Sequence, residues 1–237
     1  MSTFVLVHGA FHGGWCWHKI VARLEAEGHT VFAPDMPGHG IDKTPIADVT
    51  LDDIVAKISS VLDQASEPVV LVGHSYGGTM ITQASEARPE KIKKLVYLTA
   101  FMVPNGELTI DVAQADTENA MAGNVEFAAD GKTITALPKG AREVFYGQCS
   151  DDDVALAKLV LGPEATAGFQ TPIRTTAERH GSIPRVYIEC LRDRAISIGR
   201  QRFFHQQNPC EKVFTLDTDH SPFFSMPDQL TDILVDL

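Results

Sequence analysis

The stretch Val69-Val70-Leu71-Val72-Gly73-His74-Ser75-Tyr76-Gly77-Gly78 restricts the fold of this chain more than any other. Its four leading apolar residues read as a strand buried on both faces, as in a parallel sheet. The pattern G-x-S-x-G comes next, then a helical run from about Tyr76 to Ala87 that stops near Pro89. Strand, turn and helix in that order make a sharp elbow. Bulky side chains at positions 73 and 77 would clash in it, and the strained serine is pushed out over the sheet edge. The free N–H groups and positive dipole end of the following helix favour a developing anion beside that hydroxyl. Ser75 is therefore the candidate nucleophile.

The segments around the elbow alternate. Phe4 to Val7 is a strand, Trp15 to Glu27 a helix closed by Gly28, Thr30 to Ala33 a strand ended by Pro34 and Leu51 to Leu62 a helix. Leu95 to Thr99 is a fourth strand after the helix behind the elbow. This order predicts an α/β protein with a doubly wound, mostly parallel sheet. The alternation breaks at Pro104. From there to about residue 183 the chain is polar and rich in Ala, Gly, Asp and Thr, with a helical piece at Asp151 to Leu161. Asp130-Gly131 between alternating residues of Val125 to Leu137 signals a hairpin. Phe127, Phe145, Tyr146, Leu156, Leu159 and Phe169 give this segment enough apolar surface to pack, so it reads as an inserted cap. Strand and helix then return at Arg185 to Cys190, Gly199 to Gln207, Lys212 to Leu216 and Pro227 to Val235. The expected organisation is one domain of 237 residues, with core 1–103 and 184–237 and a cap at about 104–183.

A serine hydroxyl needs a base. Among nine histidines only His220 lies after the last strand, in Asp217-Thr218-Asp219-His220-Ser221. The acid that fixes the imidazole should fall between serine and histidine in the sequence. Asp193 stands just past the strand that ends at Cys190. Asp217 and Asp219 are rivals, but they share a short loop with His220 and fit better as turn formers. Arg192 and Arg194 flank Asp193 and read as solvated charges. An oxyanion needs two backbone N–H donors. Tyr76 supplies one, and Ala10, in the glycine-rich loop His8 to Gly14, is the candidate for the other. That loop lacks G-x-G-x-x-G, which argues against a dinucleotide cradle. His8 and His12 are four apart with no third ligand nearby, which argues against a metal. His8 and His74 read as loop-orienting residues. Phe11, Phe101, Met102, Phe145 and Phe223 are the candidate pocket residues and suggest a small aromatic or medium-chain ester.

A formal charge of −11 and the absence of a basic run exclude a nucleic-acid binder and disfavour an anionic membrane surface. No apolar stretch approaches the ~18 residues of a membrane span. The first residues, Met1-Ser2-Thr3-Phe4, carry no basic region of the kind that opens a signal peptide. Cys16, Cys149, Cys190 and Cys210 are irregularly spaced and read as free thiols of a cytoplasmic protein.

With these residues in place, the chain resembles the α/β-hydrolase superfamily. More narrowly it is similar to the group that holds plant methylesterases and hydroxynitrile lyases. The resemblance is carried by Phe4 to Ala10 with Gly14-Trp15-Cys16-Trp17, by Leu71 to Gly78, by Asp130-Gly131-Lys132, by Arg185 to Ile188 up to Asp193, and by Asp219-His220. It implies an α/β-hydrolase fold, a triad on Ser75, Asp193 and His220, an oxyanion hole at Ala10 and Tyr76, and neither metal nor organic cofactor. It also implies a small-molecule ester as partner and, by analogy with relatives, a homodimer. Two departures bear on the reaction. The lyases carry threonine where this chain has Gly9, and lysine where it has Ser221. Those groups handle the cyanohydrin hydroxyl and the cyanide, so their absence points to ester hydrolysis. A carbon–carbon lyase and a slow ligand receptor are the alternatives. The cap also lacks the tryptophan that esterases of this group often place over the acid part of the substrate, so substrate identity does not carry over.

Overall fold

The computed structural model describes all 237 residues. Its strands are β1 (Thr3–Val7), β2 (Thr30–Phe32), β3 (Val69–His74), β4 (Ile92–Leu98), β5 (Val125–Phe127), β6 (Thr133–Ala136), β7 (Glu164–Ala165), β8 (Arg185–Cys190) and β9 (Lys212–Leu216). Six form one sheet in the order β2-β1-β3-β4-β8-β9, and every neighbouring pair is parallel. The doubly wound arrangement predicted from the alternation is thus present. β3 and β4 lie in the middle, and β3 is buried at all six positions because helices cover both faces. β4 begins at Ile92, three residues earlier than its apolar run suggests. Lys93 and Lys94 open it, and Lys94 reaches Glu211 at 3.5 Å near the start of β9.

The helices are α1 (His18–Ala26), α2 (Leu51–Leu62), α3 (Gly77–Ala87), α4 (Thr109–Gln114), α5 (Ala141–Phe145), α6 (Asp151–Val160), α7 (Ile198–Gln207), α8 (Pro222–Ser225) and α9 (Pro227–Val235). Trp15 to Trp17, expected as the start of the first helix, forms a separate 3-10 turn. Gly28 closes α1 at φ +83°, its amide bonding to the Glu25 carbonyl while His29 bonds to Leu24. Thr50 and Asp53 cap α2 reciprocally.

The topology fixes where a site can form. From β1 the chain crosses to β2 on one side and then to β3 on the other. Right-handed crossovers of opposite sense put α1 and α2 on opposite faces of the sheet. α1 then packs on α9 and α2 on α3. The reversal opens a crevice beyond the carboxyl ends of β1 and β3. The three non-glycine residues with positive φ all lie past strand ends on this side: Phe11 (69°) after β1, Ser75 (56°) after β3 and Thr99 (37°) after β4.

Between β4 and β8 the chain builds the structure that roofs this crevice. β5 and β6 form the expected antiparallel hairpin, turning at Gly131 (φ +71°). β7 adds a third strand to it. Its Glu164 is buried, with Oε2 lying 3.1 Å from Nε2 of buried His39 in the loop after β2. Burial lowers the His39 pKa, but the hydrogen-bonding and charge of Glu164 outweigh it, so the net shift is upward.

Candidate active site

The elbow is as tight as the sequence requires. A Cβ on Gly73 would sit 2.6 Å from the Gly77 carbonyl oxygen, and one on Gly77 would sit 2.8 Å from those of Val7 and His8. Ser75 therefore occupies the left-handed region. It is held there by its amide, bonded to the Leu98 carbonyl at 3.2 Å, and by its carbonyl, which accepts from Gly78 and Phe101. The same crowding brings the loop after β1 against the serine, since a Cβ on Gly9 would lie 2.7 Å from Ser75 Cβ.

His220 is buried in the loop after β9. Its Nδ1 lies 2.6 Å from Asp193 Oδ2. Asp193 follows β8 and has no exposed side-chain surface. Its Oδ1 accepts the amides of Ala195 (2.7 Å) and Ile196 (3.0 Å), and its Oδ2 also accepts the Thr99 hydroxyl. A carboxylate with these partners stays in place without a metal or a basic side chain beside it. The flanking arginines point elsewhere, Arg192 to Asp217 and Arg194 to Glu143. His220 is fixed from behind as well. His74, the residue before Ser75, donates from Nε2 to the His220 carbonyl at 2.7 Å, and the two rings lie 4.6 Å apart. His74 is buried among other imidazoles, and that burial holds its pKa well below the usual histidine value, so it stays neutral.

Ser75 and His220 line one cavity of about 530 Å³ together with Ala10 and Tyr76. The Ser75 hydroxyl makes no hydrogen bond to the imidazole in this arrangement. Such contacts commonly tighten only when substrate binds. Fifteen of the 22 lining residues are hydrophobic, none is lysine or arginine, and the one carboxylate, Asp116, is taken up by the Ser197 and Glu118 amides, so the cavity suits an uncharged, apolar guest.

Phe11, Phe101 and Phe145 line this cavity. Met102 and Phe223 do not. Met102 is packed into the core after β4. Phe223 is fully buried behind the histidines, with its ring centroid 5.0 Å from that of His74 and 5.3 Å from that of Trp17. Asp217 is exposed on the Arg192 pair. Asp219 does more than form a turn. It is buried, and beside the Ser221 amide (3.1 Å) it accepts the Gln148 amide (2.6 Å) and the Ser225 hydroxyl (3.0 Å). Most of the roof was not foreseen: Ile110, Met121, Val125, Ile134 and Phe169 line the cavity, Phe169 stacking on Tyr76 at 3.9 Å. The alternation of Val125 to Ile134 and the apolar bulk of Phe169 mark this segment as one that packs, whereas Ile110 and Met121 carry no sequence signal. The histidines of the loop after β1 are fully engaged. His8 donates to Gly9 O and accepts the Met36 amide, and His12 bonds Ala10 O and the Tyr146 hydroxyl.

Comparison with known proteins agrees with this architecture. Residues 4–233 match the family model described as "Alpha/beta hydrolase family". The chain is 36% identical to methylesterase 1 of Arabidopsis thaliana, over 97% of its own length and 93% of that protein's. It is 35% identical to the putative chloroplastic methylesterase 11 of the same plant, over its whole length but only 64% of the longer protein. The crystal structure of polyneuridine aldehyde esterase superposes with a TM-score of 0.92 at 30% identity, covering 100% of this chain and 98% of the other. The chain belongs to the alpha/beta hydrolase family.

Proposed function

We propose that this protein is a carboxylesterase acting on small, uncharged, apolar or aromatic esters through an acyl-enzyme on Ser75. The observation that carries the reading is the buried Asp193–His220 pair, whose imidazole lines the same apolar cavity as the elbow serine. The methylesterases and the esterase named above support it.

His220 accepts the Ser75 proton as the hydroxyl oxygen attacks the ester carbonyl, and Asp193 holds the ring with Nδ1–H turned inward. The oxyanion is stabilised by the amides of Ala10 and Tyr76, and one such donor is typically worth ~3 kcal/mol. Tyr76 stands at the N-terminus of α3, where amides lack intrahelical partners. His220 then protonates the departing alcohol, and water, activated by the same ring, hydrolyses the acyl-enzyme. The carbon–carbon lyase alternative is disfavoured at Gly9. The hydroxyl-bearing side chain it requires is missing there, and one could enter only by forcing loop and elbow apart, with Ser75 Cβ 2.7 Å from the Cβ position.

The test is hydrolysis of p-nitrophenyl acetate and butyrate, with fluorophosphonate labelling of the nucleophile. Ser75→Ala is expected to abolish both labelling and nearly all turnover with an unchanged melting temperature. Parent-level turnover by that variant would refute the assignment.

A further inference from the structure

Roof and catalytic loops are joined by a buried chain of hydrogen bonds whose direction can be worked out. Tyr146, at the end of α5, has its hydroxyl 2.6 Å from His12 Nε2, and His12 Nδ1 lies 2.7 Å from the Ala10 carbonyl oxygen. Both rings are buried. A carbonyl only accepts, so Nδ1 carries the proton. Burial lowers the His12 pKa to about 4, so at neutral pH the ring has one proton and Nε2 is a lone pair. Tyr146 must therefore donate. The proton order runs from Tyr146 to His12 to Ala10.

The target adjoins a constrained piece of backbone beside the serine. Phe11 has φ 69°, a conformation that L side chains adopt only when neighbours impose it. Its carbonyl accepts the Gly162 amide at 2.9 Å, a second bond from the roof. The Ala10 carbonyl is thus held through His12, and the Phe11 carbonyl, one peptide further on, by Gly162. The same roof segment reaches the other catalytic loop, where the Gln148 amide bonds to Asp219, the residue before His220.

Resting on the esterase reading, we propose that Tyr146 is a positioning residue for the oxyanion hole: through His12 it fixes the Ala10 carbonyl, and with it the loop backbone that carries the Ala10 amide, whose own peptide is held at the Gly9 carbonyl by His8. The five residues Phe145 to Cys149 then act as one brace. Tyr146 fixes the oxyanion loop, Asp219 ties the His220 loop to Gln148, and the Phe145 ring lies between them, 6.0 Å from Phe11 and 5.7 Å from His220. Substrate binding under the roof then transmits directly to the donors that stabilise the transition state.

The experiment is Tyr146→Phe, which keeps the ring and removes one donor. The expected result is about a tenfold fall in kcat with KM within twofold. A trifluoromethyl ketone, which forms a tetrahedral oxyanion on the serine, should lose affinity by the same factor, while the product acid binds as before. Equal weakening of ketone and product, or neither weakened, would overturn the proposal. If Tyr146→Phe does not fold, His12 carries the test. In His12→Asn the side-chain amide can still donate at the Nδ1 position, whereas in His12→Leu it cannot, so the Asn variant should keep several-fold more activity. Equal activities would overturn the proposal. A parent inert on every ester would fail the functional reading alone. The brace is then read by amide hydrogen exchange of residues 9–12, which Tyr146→Phe should accelerate. Unchanged exchange would refute it.

Discussion

Gly9→Ala is the sharpest perturbation that the site offers. The added methyl would lie 2.7 Å from Ser75 Cβ, 3.0 Å from His74 Nδ1 and 3.1 Å from the His74 carbonyl oxygen. Ordinary contact begins at 3.4 Å, so loop and elbow must separate by about 0.7 Å. Neither side yields easily. The elbow is backed on its far side by the chain after β4, where a Cβ on Gly78 would collide with the Phe101 carbonyl oxygen and where Ser75 bonds to Leu98 and Phe101, and the loop is pinned by His8 to Met36 and by His12 to Tyr146. Overpacking of a rigid interior typically costs about 1–3 kcal/mol, which in a chain of this size is a melting-temperature loss of roughly 2–10 °C. A misplacement approaching ~1 Å in a catalytic group costs up to ~100-fold in rate, so kcat should fall roughly 10- to 100-fold. Thermal melts and p-nitrophenyl ester kinetics on the same preparation measure both. A variant with the parent's melting temperature and kcat would mean that the loop moves freely, and the argument from close approach would fail with it.

Two further predictions follow from buried groups. In Asp193→Asn the Ala195 and Ile196 amides hold the side-chain oxygen at the Oδ1 position, which turns the NH2 toward His220 and forces the wrong tautomer. The expected loss in kcat is about 10⁴-fold with the fold retained, and near-parent turnover would sink the role given to Asp193. His12 and His180 are both lowered by burial to about 4. The unfolded chain takes up protons near pH 6.5 where the folded one does not, so stability is full above that value and falls as pH drops toward 4. Each site contributes up to about 3 kcal/mol. Melting temperature should decline steeply across that window and less steeply in His180→Asn, and identical slopes would refute the assignment.

The elbow was legible because everything that defines it is local. Strand, glycines, serine and helix occupy ten consecutive residues. His220 and Asp193 were legible at one remove, since parallel strands deliver their functional residues just past their carboxyl ends. Partners joined only in space left no trace. Thr99 bonds to Asp193 across 94 positions and Tyr146 to His12 across 134. Neither residue belongs to a motif. The roof was recognisable as a unit from its composition, but not residue by residue. Its strand β7 is two residues long, too short for any periodicity. Met102 and Phe223 went the other way, because an aromatic or thioether side chain near a motif looks the same in a core as in a pocket.

The want of lysine and arginine around the cavity bears on what happens after the chemistry. An ester enters neutral, but above its own pKa the acid that it yields carries a full negative charge. In these surroundings the His220 imidazole is the one side chain able to carry positive charge toward that anion, Asp116 lies in the same lining, and the protein's net charge of −11 adds a field that repels it. Ionisation of the product therefore weakens its hold on the cavity. A lining that suits a neutral ester holds its ionised product less well.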